Sequence, residues 1–150
     1  MHIREMTTEE CTQALSSARL GRLACARENQ PYVVPIYFAA RKGWLYSFSM
    51  MGQKIEWMRA NPLVCLEVDD AKGPDDWRSV VVYGRYDELS ERTEVVQAHE
   101  LLQTHVMWWE PGVARVQHGN VQASPKPVYY RISVDGVTGR VAIPAGLSNR

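Results

Sequence analysis

The sequence predicts a mainly β, α+β domain: six or seven short strands in an antiparallel sheet that curls into a barrel, with three flanking helices. Three observations carry this expectation. Short runs of period-two apolar alternation are separated by turns rich in Gly, Pro and Asn. Three longer stretches switch to a three-to-four-residue period, two of them opened by a helix-start signal. No Gly-rich strand-to-helix turn of the dinucleotide-binding kind is present. With 150 residues, 45% of them hydrophobic, the chain has material for one core and too little for two ordinary domains, so a single domain over residues 1–150 is expected.

The elements follow in order. Thr7-Thr8-Glu9-Glu10 has the form of a capping box, so the first helix starts there and runs to about residue 19, with Gly21 beyond its end. Residues 20–27 read as a strand in which Leu23 and Cys25 alternate with small residues, Glu28-Asn29-Gln30-Pro31 as a turn, and residues 32–40 as the second arm of a hairpin. Past the turn Arg41-Lys42-Gly43, a third strand places Trp44, Tyr46 and Phe48 on one face and Leu45, Ser47 and Ser49 on the other. Ile55, Met58 and Arg59 give residues 52–61 a helical period, which Asn61-Pro62 stops because the residue before proline disfavours helix.

Residues 63–69 are a strand and residues 71–76 a polar loop. Residues 78–88, rich in Val and Tyr, are the longest strand, with Gly84 suggesting a bulge. Ser90 caps an amphipathic helix over residues 90–107 whose apolar stripe is Val95, Ala98, Leu101 and Leu102. Residues 108–127 have no clear period and read as an ordered loop or a mobile cover. Residues 129–134, a turn at Asp135-Gly136, and residues 137–143 are expected to form a closing hairpin.

Composition narrows the function. Formal net charge is zero, so no global positive field is available to hold nucleic acid or an anionic membrane, and any anion must be bound locally. The opening residues lack the apolar centre of a signal peptide and no stretch approaches the roughly 20 apolar residues of a membrane span, so a cytoplasmic location is expected. Cys11, Cys25 and Cys65 are odd in number, far apart and without a CxxC pair, which points to core packing. His2, His99, His105 and His118 show no ligand spacing, and His99 and His105 fall on opposite faces of one helix, so no metal is expected.

The segment from Tyr46 to Lys54 carries the most chemistry. A strand end bearing Ser47 and Ser49 runs through a short turn into a helix whose first turn holds Gln53 and Lys54. Free N–H groups at a helix start, hydroxyl donors and an ammonium together make an anion site, although a lysine near a helix start is more often a solvated surface residue.

The wider context resembles a known family. Gly21-Arg22-Leu23-Ala24, Pro31-Tyr32-Val33-Val34-Pro35-Ile36-Tyr37-Phe38, Gly52-Gln53-Lys54-Ile55, Arg59-Ala60-Asn61-Pro62, Trp77-Arg78-Ser79-Val80-Val81-Val82-Tyr83-Gly84 and Val137-Thr138-Gly139-Arg140 follow one another in the order and spacing of the pyridoxamine 5′-phosphate oxidase-like superfamily. The chain is similar in particular to its flavin-nucleotide-binding, nitroimidazole-resistance-like branch. The resemblance implies a split β-barrel, FMN as cofactor and a homodimer. It implies phosphate contacts from Ser47, the main chain of Phe48, Ser49, Gln53 and Lys54, with the isoalloxazine over Val34, Pro35 and Ile36, and Arg78 and Ser79 reaching the flavin across the dimer interface. Such a site suits FMN, which presents a dianionic phosphate, an apolar ring system and a polar pyrimidine edge.

Two departures limit what the resemblance implies. Gln53 stands where the oxidases proper carry arginine and where some nitroimidazole-resistance members carry histidine, and Ala142-Ile143-Pro144-Ala145-Gly146 lacks the Arg and His pair that holds the substrate phosphate of the vitamin B6 enzymes. The expected activity is that of an FMN-dependent oxidoreductase acting on a small molecule, with no catalytic side chain assigned. Tyr37 and Arg78 are the side chains to test for substrate orientation, and Trp108-Trp109 would cover the flavin. The alternatives are a flavin or deazaflavin carrier or sensor without turnover, and a barrel that has lost its cofactor.

Overall fold

The computed structural model describes residues 1–104 and 126–146. Among them the order is β1 (His2–Glu5), α1 (Thr8–Ser17), β2 (Leu20–Arg27), β3 (Gln30–Tyr37), β4 (Ala39–Arg41), β5 (Trp44–Ser49), α2 (Gln53–Ala60), β6 (Leu63–Gly73), β7 (Asp76–Glu88), α3 (Arg92–Gln103), β8 (Val128–Ser133) and β9 (Gly136–Ile143). The strands pair antiparallel along the path β3-β2-β6-β7-β8-β5-β4, with β9 beside β7 and β1 beside β9. The path leaves β3 and β4 as its two ends, so the sheet curls without closing: a split barrel, as expected.

Local sequence explains the first half of the chain. At the start of α1 the Thr7 hydroxyl accepts from the Glu10 N–H at 3.2 Å and the Glu10 carboxylate accepts from the Thr7 N–H at 3.1 Å, the reciprocal pair of a capping box. The turn between β2 and β3 is tighter than the four residues expected. Only Glu28 and Asn29 have positive φ, 50° and 64°, so β3 begins at Gln30 and takes Pro31 and Pro35 into the strand. Both prolines are tolerated because β3 is an end of the path and needs hydrogen bonds only toward β2.

The long strand β7 organises the rest. It pairs β6 on one side along nearly its whole length; on the other side Trp77–Tyr83 face β9 and Tyr86–Glu88 face β8. Gly84 marks the change of partner, because a Cβ there would strike the Ser133 carbonyl. The bulge expected at Gly84 lies in the facing chain instead: pairing with β6 runs unbroken through Val64↔Gly84, while three steps along β7 from Tyr86 to Tyr83 match four steps from Ile132 to Gly136. There the Ser133 hydroxyl accepts from the Arg85 N–H at 3.1 Å and the Asp135 N–H donates to the Tyr83 carbonyl at 2.9 Å.

Several expectations are thereby corrected. Residues 129–143 form no hairpin, because β8 and β9 run end to end along β7, a longer template than a two-stranded pair at Asp135-Gly136 could offer. Among the described residues nine strands replace six or seven. The additional β1 and β4 have four and three residues, too few to show a period, and β1 is exposed throughout. The second strand stops at Tyr37 instead of residue 40, since Phe38 carries the chain from the β2 side of the barrel to β5. The expected loop at 71–76 is mostly strand, with β6 and β7 meeting at a narrow turn. Glu91, not Ser90, is the N-cap of α3, and it makes no side-chain cap bond. The end of the predicted third helix and nearly all of the predicted 108–127 cover lie outside the described residues.

The main core contains Leu23, Ile55, Met58, Leu66, Val80, Val82 and Tyr130, each fully or almost fully buried. Ile55 and Met58 anchor α2, and burying each side chain contributes about 1.5–3 kcal/mol. Under α3 lies a second cluster of Ala39, Leu89, Ala98, Leu102 and Tyr129, against which the aromatic face of β5 packs through Tyr46 and Phe48. The cysteines are free, Cys11 and Cys25 buried and Cys65 half-buried, as core packing predicts. Among the described residues no helix is long and apolar enough to cross a membrane, and no cluster of His, Cys, Asp and Glu has the makings of a metal site.

Candidate functional site

Eight of the ten predicted residues converge on one end of the barrel. Ser47, Phe48 and Ser49 end β5; Gln53 and Lys54 open α2; Val34, Pro35 and Ile36 lie on β3. Two contacts link the three segments: the Ser47 hydroxyl donates to the Tyr37 carbonyl at 2.7 Å, tying the end of β5 to the end of β3, and the Trp57 ring of α2, a helix packed on β2, meets Tyr32 near the start of β3 at 5.5 Å. Alternation on β3 turns Tyr32, Val34 and Ile36 toward the core and leaves Val33 and Pro35 exposed.

The helix start is open. Its N-cap, Gly52, is extended with φ −178° and supplies no side-chain cap, so the N–H groups of the first turn are left for an outside acceptor. Lys54 beside them is half-buried, and desolvation pushes its ammonium below the usual lysine range. Among the described residues no carboxylate forms an ion pair with it. A partly desolvated, unpaired cation at a bare helix N-terminus favours an anion. Gln53 is exposed at the first helical position.

The strand-end hydroxyls differ. Ser49 is part-buried and donates to the Met50 carbonyl at 2.8 Å. Ser47 is only 2% exposed and its hydrogen goes to Tyr37. The Phe48 ring packs on Tyr129 at 5.3 Å, so Phe48 faces the α3 cluster with its side chain.

Arg78 and Ser79 lie elsewhere. Leu63↔Arg85 is the first rung after α2, and Asp69↔Ser79 is six residues further along β7, about 20 Å at strand rise. One chain does not bring them to Lys54. The Arg78 guanidinium is 3.9 Å from Asp70, and the Ser79 hydroxyl donates to Glu67 at 3.2 Å. Ser79 instead lines a cleft of about 480 Å³ with Glu5, Trp77, Val81, Thr138 and Arg140. Sequence reasoning did not assign Trp77, Thr138 or Arg140 to a site. The available signal is strand alternation, which puts residues 77, 79 and 81 on one face, but that β9 is the strand beside them is a matter of long-range pairing.

At its other end α2 is closed off. Arg59 forms two bonds with the Glu88 carboxylate, at 2.7 and 3.0 Å, and the Tyr86 hydroxyl donates to the same group at 2.6 Å. Arg59 holds the Glu88 carboxyl below the usual carboxylate range, and burial together with Glu88 pushes the Tyr86 phenol up.

The chain matches the pyridoxamine 5′-phosphate oxidase family over residues 7–141. It is similar to an uncharacterized protein of Rhizobium meliloti (strain 1021), with 40% identity over 146 residues, 95% of this chain and 97% of that one. Among solved structures, a FAD-binding protein from Mesorhizobium loti has 42% identity and a TM-score of 0.78, covering 96% of this chain and 99% of the other. A candidate pyridoxamine 5′-phosphate oxidase from Corynebacterium glutamicum has 26% identity and a TM-score of 0.73, covering 93% and 97%. Family match and antiparallel split barrel agree over nearly the whole length, and the chain belongs to the pyridoxamine 5′-phosphate oxidase family.

Proposed function

We propose that this protein binds FMN through the open start of α2 and acts as a flavin-dependent oxidoreductase on a small molecule, as a cytoplasmic homodimer. The observation that carries the reading is Lys54: half-buried, unpaired among the described residues, and next to first-turn N–H groups that no side chain caps. A phosphate dianion would satisfy all of these donors. In this reading Lys54, Gln53, Ser49 and the Phe48 main chain hold the phosphate, and Val34, Pro35 and Ile36 lie against the ring system. Bound flavin supplies the hydride or electron transfer, and the chain supplies orientation and exclusion of water. The similar protein from Mesorhizobium loti is described as FAD-binding, and FAD contains the FMN unit, so both nucleotides belong in the test.

A second copy completes the site. Arg78 and Ser79 are too far along β7 to serve the Lys54 of their own chain, and the outer face of the same sheet exposes Val33, Leu63 and Tyr83 by 61, 56 and 51%. Solvated antiparallel faces are usually polar, so this apolar one fits burial against a partner that offers its own Arg78 and Ser79.

The experiment is to purify the protein, record its near-ultraviolet and visible spectrum after gel filtration, and titrate it with FMN, FAD and riboflavin. Flavin bands that co-elute with a dimer, followed by reduction by NADH or NADPH and reoxidation by an acceptor, are the expected result. Bound flavin that is never reduced at a useful rate would favour the carrier or sensor reading. Colourless protein indifferent to all three flavins would sink the cofactor assignment.

A further inference from the structure

Ser47 ties β5 to the end of β3. The backbone path of the sheet ends at β3 and at β4, and Phe38 is the single residue between those strands. At this crossing the Phe38 N–H donates to the Arg19 carbonyl at 2.9 Å, and the Tyr37 carbonyl receives the Ser47 hydroxyl at 2.7 Å. Ser47 is 2% exposed, the one serine among the buried residues described. Beneath it, Tyr130 faces Ser47 across the β5–β8 register and is completely buried, and no described group meets its hydroxyl with hydrogen-bond geometry. The Ser47 hydroxyl is nonetheless close enough to offset part of the burial that pushes the Tyr130 phenol up to about 12.

A hydroxyl so enclosed, with its hydrogen already engaged, is poorly placed to donate to a phosphate. It is well placed to fix a strand end. We propose that Ser47 is a positioning residue: it latches the seam of the split barrel by holding the Tyr37 carbonyl, and so sets the height of Val34, Pro35 and Ile36 beneath the ring system, while Lys54 and the α2 N-terminus take the phosphate. This assignment rests on the flavin reading above and separates the site into a ring-supporting part and a phosphate-binding part.

The test compares FMN with riboflavin, which lacks the phosphate, in the wild-type protein, Ser47→Ala and Lys54→Ala. Ser47→Ala should weaken both flavins by the same factor, roughly five- to fifty-fold, because it removes the hydrogen bond that holds the end of β3. Lys54→Ala should weaken FMN alone. A Ser47→Ala variant that loses FMN affinity but keeps that for riboflavin would make Ser47 a phosphate ligand, and one that binds both normally would remove it from the site; either overturns the proposal. Should Ser47→Ala fail to fold, Ser47→Cys, with a weaker donor of similar size, is measured in its place. If the wild-type protein binds neither flavin, the functional reading fails but the latch is still testable: in Ser47→Ala the Phe38 amide should exchange with solvent roughly ten-fold faster, and an unchanged rate would refute it.

Discussion

Helices α1 and α2 both follow a strand and both lie on the core, but they begin in opposite ways. The start of α1 is satisfied from within: Thr7 and Glu10 cap each other, and Arg4 adds two bonds of 3.0 Å to the Glu10 carboxylate. The start of α2 has Gly52 in place of a capping side chain, and its cation, Lys54, has no ion-pair partner among the described residues. Within α2 the contrast repeats, since Arg59 is held by Glu88. The difference separates stability from binding. Where the chain answers its own donors and charges it gains stability; where it leaves them half-buried and unanswered, at the cost of desolvating an ammonium, they are open to a ligand, as the proposed function requires.

The largest expected effect in this comparison comes from Lys54→Ala. Loss of a charge-assisted phosphate contact should weaken FMN by roughly 10- to 100-fold with the fold intact, read by flavin fluorescence titration against circular dichroism. Equal loss for FMN and riboflavin would break the comparison. Gly52→Asp should come next. The backbone at Gly52 is extended and a Cβ there would meet only the Met50 carbonyl, at an ordinary 4.0 Å, so aspartate can cap the helix as Thr7 caps α1. Thermal stability should rise slightly while FMN affinity falls roughly two- to five-fold, as a carboxylate takes the place meant for phosphate.

Thr7→Ala tests the other helix. It should cost about 1 kcal/mol of stability, a drop of several degrees in Tm, and leave FMN affinity unchanged. The smallest effect is one of pH. Glu10 is held near a pKa of about 2, chiefly by its bonds to Arg4, so its folded value lies below the ordinary carboxylate value. The stability it contributes is therefore complete above the unfolded carboxylate pKa and is lost as pH falls toward 2. Glu10→Gln should flatten that part of the acid denaturation curve without altering FMN binding, and an unchanged acid limb would show that the Arg4–Glu10 pair is solvent-screened to insignificance.

Much of the site was legible because it is contiguous. Ser47 to Lys54 spans one strand end, one turn and one helix start, so the approach of Ser49, Gln53 and Lys54 follows from local structure. The turn at Lys42-Gly43, with φ 48° and 80°, was legible for the same reason. What sequence reasoning missed depends on partners far along the chain. The Ser47 hydroxyl looked identical to that of Ser49 until the fold placed the Tyr37 carbonyl 2.7 Å from it. For Arg78 and Ser79, expected to act across a dimer interface, the sequence did not show the spacing within one chain: the register of β7 puts Ser79 six residues beyond the rung that follows α2.

By itself the sequence determined the short-range features: the capping box of α1, the alternation that divides the longer strands between core and surface, the stop at Asn61-Pro62, and the hydroxyl-rich run into Lys54. Each is fixed by steric and hydrogen-bonding preferences acting over a few residues. Only the tertiary structure decided that β8 and β9 lie end to end on β7, that Gly84 is required by the Ser133 carbonyl, that the barrel stays split between β3 and β4, and that Ser47 spans that seam. These outcomes depend on long-range register. A one-residue offset between distant strands moves every side chain to the other face, and no local pattern encodes which distant backbone will stand opposite.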